Sequence, residues 1–138
     1  MKEIEIEFGG VVFTATLFED KAPKTLEALW KALPIDDPAA VHAMWSWEMF
    51  HLTPNIVNLG VQEVENPKAF QWPGEIVFYP PIQEIAICYG EARFTGPIGP
   101  LRVSGLGMIQ GKLDLLKQKA STLQTEGKKH IVFRRKGA

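Results

Sequence analysis

The sequence contains one cysteine, Cys88, so no disulfide can form within the chain, and one thiolate is too few for a cysteine-rich zinc site. Charge of neither sign is in excess: 15 Lys and Arg stand against 16 Asp and Glu, a formal net charge of -1. Such a domain has no overall field to gather nucleic acid or an anionic membrane. No stretch approaches 18 consecutive apolar residues, which excludes a bilayer-spanning helix. A glycine-rich phosphate loop and a Gly-x-Ser-x-Gly nucleophile elbow are both missing. His42, His51 and His130 have no ligand-type spacing, so neither a metal nor a cofactor is expected. Met1 to Phe8 alternates apolar and charged residues where an export signal would carry a basic patch and a continuous apolar stretch. The expectation is a cytoplasmic protein, and the lone thiol agrees with a reducing compartment.

What the chain does have is an ordinary globular composition. Its 138 residues are 46% hydrophobic and 22% charged, which predicts one domain over residues 1–138. A chain of this size buries roughly 68 to 70% of its unfolded surface and needs no covalent staple. Ile4, Ile6 and Phe8 alternate with Glu3, Glu5 and Glu7, the period of a strand with one face on a core. Gly9-Gly10 supplies a two-residue turn, and the β-branched and aromatic run Val11 to Phe18 completes a hairpin. Asp20 is a candidate cap and Pro23 suits a first helical turn. Leu26, Leu29, Trp30 and Leu33 then follow at helical spacing. Ile35-Asp36-Asp37-Pro38 reads as a loop.

Val41 to Leu52 reads as one extended segment with two half-apolar faces, as in a sheet covered on both sides or curled around a pocket. Thr53 to Phe70 has no clear period. Short strands are expected at Glu75 to Tyr79 and Glu84 to Tyr89, and another at Leu101 to Gln110, where Gly105 and Gly107 mark a bulge or a close backbone approach. A second helix spans Leu113 to Thr125, ended by Gly127, and a last strand includes Ile131 and Phe133. The order predicts a mainly β, mostly antiparallel barrel or closed sheet with two helices over its ends.

Several segments resemble cyclophilins. Leu17-Phe18-Glu19-Asp20-Lys21-Ala22-Pro23-Lys24-Thr25 is similar to the entry of their first helix. Gly107-Met108-Ile109-Gln110-Gly111-Lys112-Leu113 is similar to the strand that opens their second, and Gly127 to Ile131 to the turn into their last strand. Gly74-Glu75-Ile76-Val77-Phe78-Tyr79-Pro80, with Tyr89-Gly90 and Arg93-Phe94, looks like an uncharacterised family of small bacterial cyclophilin-like proteins. That resemblance implies a closed eight-stranded β-barrel with two capping α-helices and brings no established activity. The isomerase signature is missing. The stretch His42-Ala43-Met44-Trp45-Ser46-Trp47-Glu48 has no arginine where active cyclophilins carry one, and their Gln-Phe-Phe segment is absent. An apolar Met44 cannot replace a charge-assisted donor, so isomerase activity is not expected and other catalysis stays open.

On an extended Val41–Leu52, His42, Ser46 and Glu48 share a face with Met44 and Phe50, which presents an imidazole and a carboxylate to a pocket. Residues six apart in a strand are about 20 Å from one another, so His42 and Glu48 cannot bond directly, and surface or core-edge roles are the alternative. Arg93 lies in an apolar neighbourhood and suits a carboxylate ligand, with an ion pair to Glu48 or Glu91 as the alternative. Trp45, Trp47, Trp72 and Tyr79 form either an aromatic wall or part of the core. Lys128, Lys129, Arg134, Arg135 and Lys136 read as a solvated terminal strand, and Cys88 as inert packing.

The leading expectation is a cleft lined by His42, Trp45, Glu48, Tyr79 and Arg93 that binds a small, anionic or amino-acid-like molecule. A second reading is a divergent prolyl isomerase or small-molecule enzyme. A third is an interaction module that self-associates through exposed aromatics.

Overall fold

Alternation decides the inside of the molecule. In the computed structural model, which describes residues 2–137, Ile4, Ile6 and Phe8 of β1 (Glu3–Phe8) point into the core, as do Phe13, Ala15 and Leu17 of β2 (Val11–Leu17). Gly9 and Gly10 join the two strands with φ of 61° and 78°, the positive pair that a tight hairpin turn requires. The chain continues through α1 (Pro23–Ala32), β3 (Ile35–His42), β4 (Trp47–His51), β5 (Pro67–Lys68), β6 (Glu75–Tyr79) and β7 (Glu84–Ala92). It ends with β8 (Thr95–Gly96), β9 (Gly99–Pro100), β10 (Val103–Gln110), α2 (Leu113–Ser121), α3 (Leu123–Glu126) and β11 (Lys129–Arg135).

Every pairing is antiparallel. The order β2-β1-β11-β3-β4-β7-β6-β10 returns to β2, which closes an eight-stranded barrel; β5 pairs with β10 outside the ring, and β8 pairs with β9. The seam between β10 and β2 depends on glycine. A Cβ on Gly107 would stand 2.5 Å from the Thr16 carbonyl oxygen, and the ladder between β10 and β6 shifts register between Gly105 and Gly107.

Phe8 and Phe50 stack at 4.8 Å inside the barrel, and Leu26 and Leu29 of α1 and Leu116, Ala120 and Leu123 of α2 and α3 join the same core. Lys2, before β1, lies over the Trp30 ring of α1, whereas Gly9, just past β1, meets Lys119 of α2. The helices therefore stand at opposite ends of the barrel. Among the described residues no helix is long and apolar enough to cross a membrane.

Four elements depart from the expectations. Ile35 to Pro38 is strand rather than loop: Asp37 is buried, and Pro38, which has no N–H to donate, falls where β3 bulges against β11. Val41–Leu52 is not one strand but the end of β3, a turn at residues 43–46, and β4. The second helix divides at Thr122, whose hydroxyl donates to the Lys119 carbonyl. Asp20 does not cap α1. Residue Ala22 precedes the helix with no side-chain cap, and Glu65, from the stretch without a clear period, takes the role: it accepts from the Thr25 N–H at 2.7 Å, the Thr25 hydroxyl at 2.7 Å and the Lys24 N–H at 3.2 Å.

The basic tail is held locally. Arg134 of β11 reaches Glu5 and Glu7 of β1, and Lys136 reaches Glu3.

A cleft on the outer wall of the barrel

Because Phe50 and Leu52, Ile76 and Phe78, and Ile85 and Ile87 face inward, their neighbours face out: Met49 and His51 on β4, Val77 and Tyr79 on β6, and Glu84, Ala86 and Cys88 on β7. Most of this outer surface is apolar. It forms a second core in which Phe94 and Val103 cover Met49, Val77, Ala86 and Cys88. The cover stops short of His51 and Glu84, and a cleft of about 370 Å³ opens there. Its walls are Met49, His51, Tyr79, Glu84, Phe94 and Leu101. Its mouth is formed by Met44 and Trp45 of the β3–β4 turn, Ile82, and Ile98 at the tip between β8 and β9, which is 99% exposed.

Serine clasps the two sides of that mouth. The buried Ser46 Oγ accepts the Thr95 N–H at 3.0 Å and donates to the Thr95 carbonyl at 3.3 Å, which fixes the β3–β4 turn against β8. Tyr79 and Phe94 pack with ring centroids 5.2 Å apart and form one aromatic flank.

Two titratable groups face each other within. Glu84 is 8% exposed, and its Oε2 lies 3.7 Å from His51 Nδ1. Burial pushes the Glu84 carboxyl above the usual carboxylate range, and the neighbouring His51 pulls the other way. His51 Nδ1 is 2.8 Å from the Leu52 carbonyl oxygen, which can only accept, so this nitrogen carries a proton and Nε2 is the open one. Among the described residues no lysine or arginine lines the cleft. Among the described residues no three of His, Cys, Asp and Glu converge as a metal centre would need.

The five residues singled out in the sequence do not share this cleft. Trp45 and Tyr79 line it; His42, Glu48 and Arg93 do not. His42 lies near α3, where its Nδ1 donates to the Ala43 carbonyl at 2.8 Å and its Nε2 lies 2.7 Å from the hydroxyl of buried Tyr89. Glu48 borders a separate groove of about 380 Å³ with Phe70, Trp72 and Lys117. The Glu91 N–H, donating at 2.9 Å, holds the Glu48 carboxyl below the usual range against the cost of burial, with help from Lys117 at 3.2 Å. The Arg93 guanidinium stacks over Phe70 at 5.1 Å and forms no ion pair with Glu48 or Glu91. The proposed aromatic wall also divides: Trp47 and Trp72 are exposed and lie outside the cleft.

The division follows from local irregularities in the chain. The turn at 43–46 and the bulge between Trp47 and Met49, where Trp47 takes φ 62°, break the alternation that had put His42 and Glu48 on one face. His51 and Glu84 carry no motif-like spacing in the sequence. The signal for Glu84 was present, since it is the charged member of the otherwise apolar outward set Glu84, Ala86 and Cys88. Cys88 is fully buried, and burial raises its thiol to about 12, which suits inert packing.

The molecule is thus an antiparallel eight-stranded barrel with a half-covered cleft on its outer wall. A family model described as a protein of unknown function (DUF3830) matches residues 4–134, and the chain belongs to that family. No curated protein sequence matches it. Among solved structures, McbB in complex with tryptophan superposes with a TM-score of 0.80 at 24% identity over 98% of this chain, which spans 45% of that one. The solution structure of the hypothetical protein AF2241 from Archaeoglobus fulgidus has a TM-score of 0.63 at 22% identity, over 97% of this chain and 94% of that one. At these identities the likeness shows the fold.

Proposed function

We propose that the chain binds a small molecule with a flat aromatic part in the outer-wall cleft. The observation that carries this reading is the cleft itself: its volume of about 370 Å³ lies within the range of small-ligand pockets, and Trp45, Tyr79 and Phe94 line it beside His51 and Glu84. Apolar surface of this extent left open at a mouth fixed by Ser46 is the ordinary basis of ligand affinity. The tryptophan in the complex of McbB, which shares this fold over 45% of its length, supports an aromatic ligand. Arg93, the residue that would favour an anionic ligand, stacks over Phe70 outside this cleft, which favours a neutral or cationic ligand at this site. We read the barrel as cyclophilin-like on the resemblance around residues 17–25 and 107–113, and place the chain in the cytoplasm on its lone buried thiol.

Thermal unfolding in the presence of indole tests the reading. A ligand of the folded state at a hundredfold excess over its Kd contributes about 2.7 kcal/mol, so a rise in Tm is expected for the native chain and should be lost in Tyr79→Ala. An unchanged Tm up to the solubility limit of indole, or a rise that survives Tyr79→Ala with Trp45→Ala, would overturn it. In a coupled assay on proline peptides the expected rate is the uncatalysed one, since no guanidinium lines the cleft. An acceleration abolished by His51→Ala would instead make the cleft that of a divergent isomerase.

A further inference from the structure

We propose that the cleft selects aromatic molecules that carry a protonated amine, with the Glu84 carboxylate receiving the ammonium group. The inference rests on the reading of the cleft as an aromatic-ligand site and adds the second half of the ligand. Glu84 opens β7 on the outward side of the ladder, directly across from Tyr79 of β6. Among the described residues no N–H or O–H donates to either of its oxygens at hydrogen-bond distance; the nearest ionic partner, His51, is 3.7 Å away and has committed its Nδ1 proton to Leu52. Other buried carboxylates here are differently placed: Asp37 collects three donors, and Glu75 accepts the Trp72 N–H and faces Lys68 at 3.3 Å.

Glu84 lines the cleft, and its carboxylate oxygens are not among the buried side-chain atoms sealed away from solvent. A largely buried acceptor without protein donors in the wall of an apolar cleft is poorly solvated in the free protein and gains most from a ligand that brings donors with it. An ammonium group brings three, together with the charge that matches a carboxylate, and the aromatic side chains Tyr79 and Trp45 in the lining are of the type that attracts a cation. A ligand carboxylate would meet the opposite situation, since no lysine or arginine lines the cleft to receive it. The predicted order of affinity is therefore aromatic amine, then neutral aromatic, then aromatic acid.

His51 from β4 and Tyr79 from β6 are the titratable groups that line the cleft with Glu84. Pairing needs Glu84 ionised. Affinity for the amine should consequently rise as pH increases through the elevated Glu84 pKa, and fall again only where the amine itself loses its proton.

Calorimetry at pH 7.5 with tryptamine, indole and indole-3-propionate separates the possibilities. Tryptamine is expected to bind at least about tenfold more tightly than indole, which corresponds to about 1.4 kcal/mol, and indole-3-propionate more weakly than either. Glu84→Gln, which keeps the shape of the side chain, should close the gap between tryptamine and indole. Equal affinities for tryptamine and indole in the native chain, or a gap that persists in Glu84→Gln, would overturn the amine assignment while indole binding still upheld the aromatic cleft. Failure of all three to bind would overturn both.

Discussion

Replacing Asp37 with alanine is expected to destabilise the fold by about 3 kcal/mol or more, read as a lower urea midpoint at unchanged slope. The side chain is fully buried and takes three hydrogen bonds: Oδ1 accepts the Ala39 N–H at 2.9 Å and the Thr53 hydroxyl at 3.0 Å, and Oδ2 accepts the Thr53 N–H at 2.6 Å. Bonds to a charged acceptor contribute about 1.5–3 kcal/mol each and do not add fully, but here their loss strands donors in the bulge of β3 and just beyond β4 at once. Asparagine is no remedy. Both oxygens accept, so an amide would keep one acceptor and turn two N–H groups toward a donor. Asp37→Asn should cost nearly as much as Asp37→Ala. A midpoint shift within about 0.5 kcal/mol for Asp37→Ala, the range of an ordinary surface substitution, would show that the clasp does not stabilise the barrel.

Glu65→Ala should cost about 2–4 kcal/mol at neutral pH, because it removes the acceptor for the buried Thr25 hydroxyl together with the cap of α1. Burial works against ionisation of Glu65, yet the bonds from Thr25 and Lys24 win and hold its pKa below the usual carboxylate range. The sign follows from linkage. A carboxyl whose folded pKa is depressed stabilises the fold above its unfolded value of about 4.3, and that contribution is lost as pH falls through the folded pKa. The gap between native chain and variant should thus be full at pH 7 and shrink on acidification in paired urea titrations. A gap independent of pH would mean that packing, and not the charge on the helix, accounts for the loss. Glu65→Gln, which keeps an acceptor, should fall between the two.

Both sites show where sequence patterns reach their limit. The pattern around Asp37 reads as a turn because Asp-Asp-Pro is turn chemistry, and the Asp37 to Ala39 bond is indeed such a local motif. It became strand because Thr53, 16 residues on, brings two further donors. Asp20 was the local candidate to cap α1, yet a residue 40 positions beyond Thr25 does so. In each case the partner is distant in the chain, and no period or spacing reports it.

The alternation of Ile4, Ile6 and Phe8, the Gly9-Gly10 turn, the helical spacing from Leu26 to Leu33 and the glycines of β10 were sufficient for the class of fold. Those signals are local, and they come from the two geometric periods of strand and helix and from the conformational freedom of glycine. The cleft required more. It exists because β4, β6 and β7 lie side by side with apolar outer faces, and because the chain from Phe94 to Val103 covers only part of them. Which carboxylate it holds was decided by the pairing of β4 with β7, which sets His51 opposite Ala86 and beside Glu84, while the bulge between Trp47 and Met49 sends Glu48 elsewhere. The residue patterns by themselves determined a mostly antiparallel barrel or closed sheet with two helices over its ends. Only the tertiary structure determined the site, since a strand shifted by one residue exchanges its two faces, and register is settled by partners far along the chain.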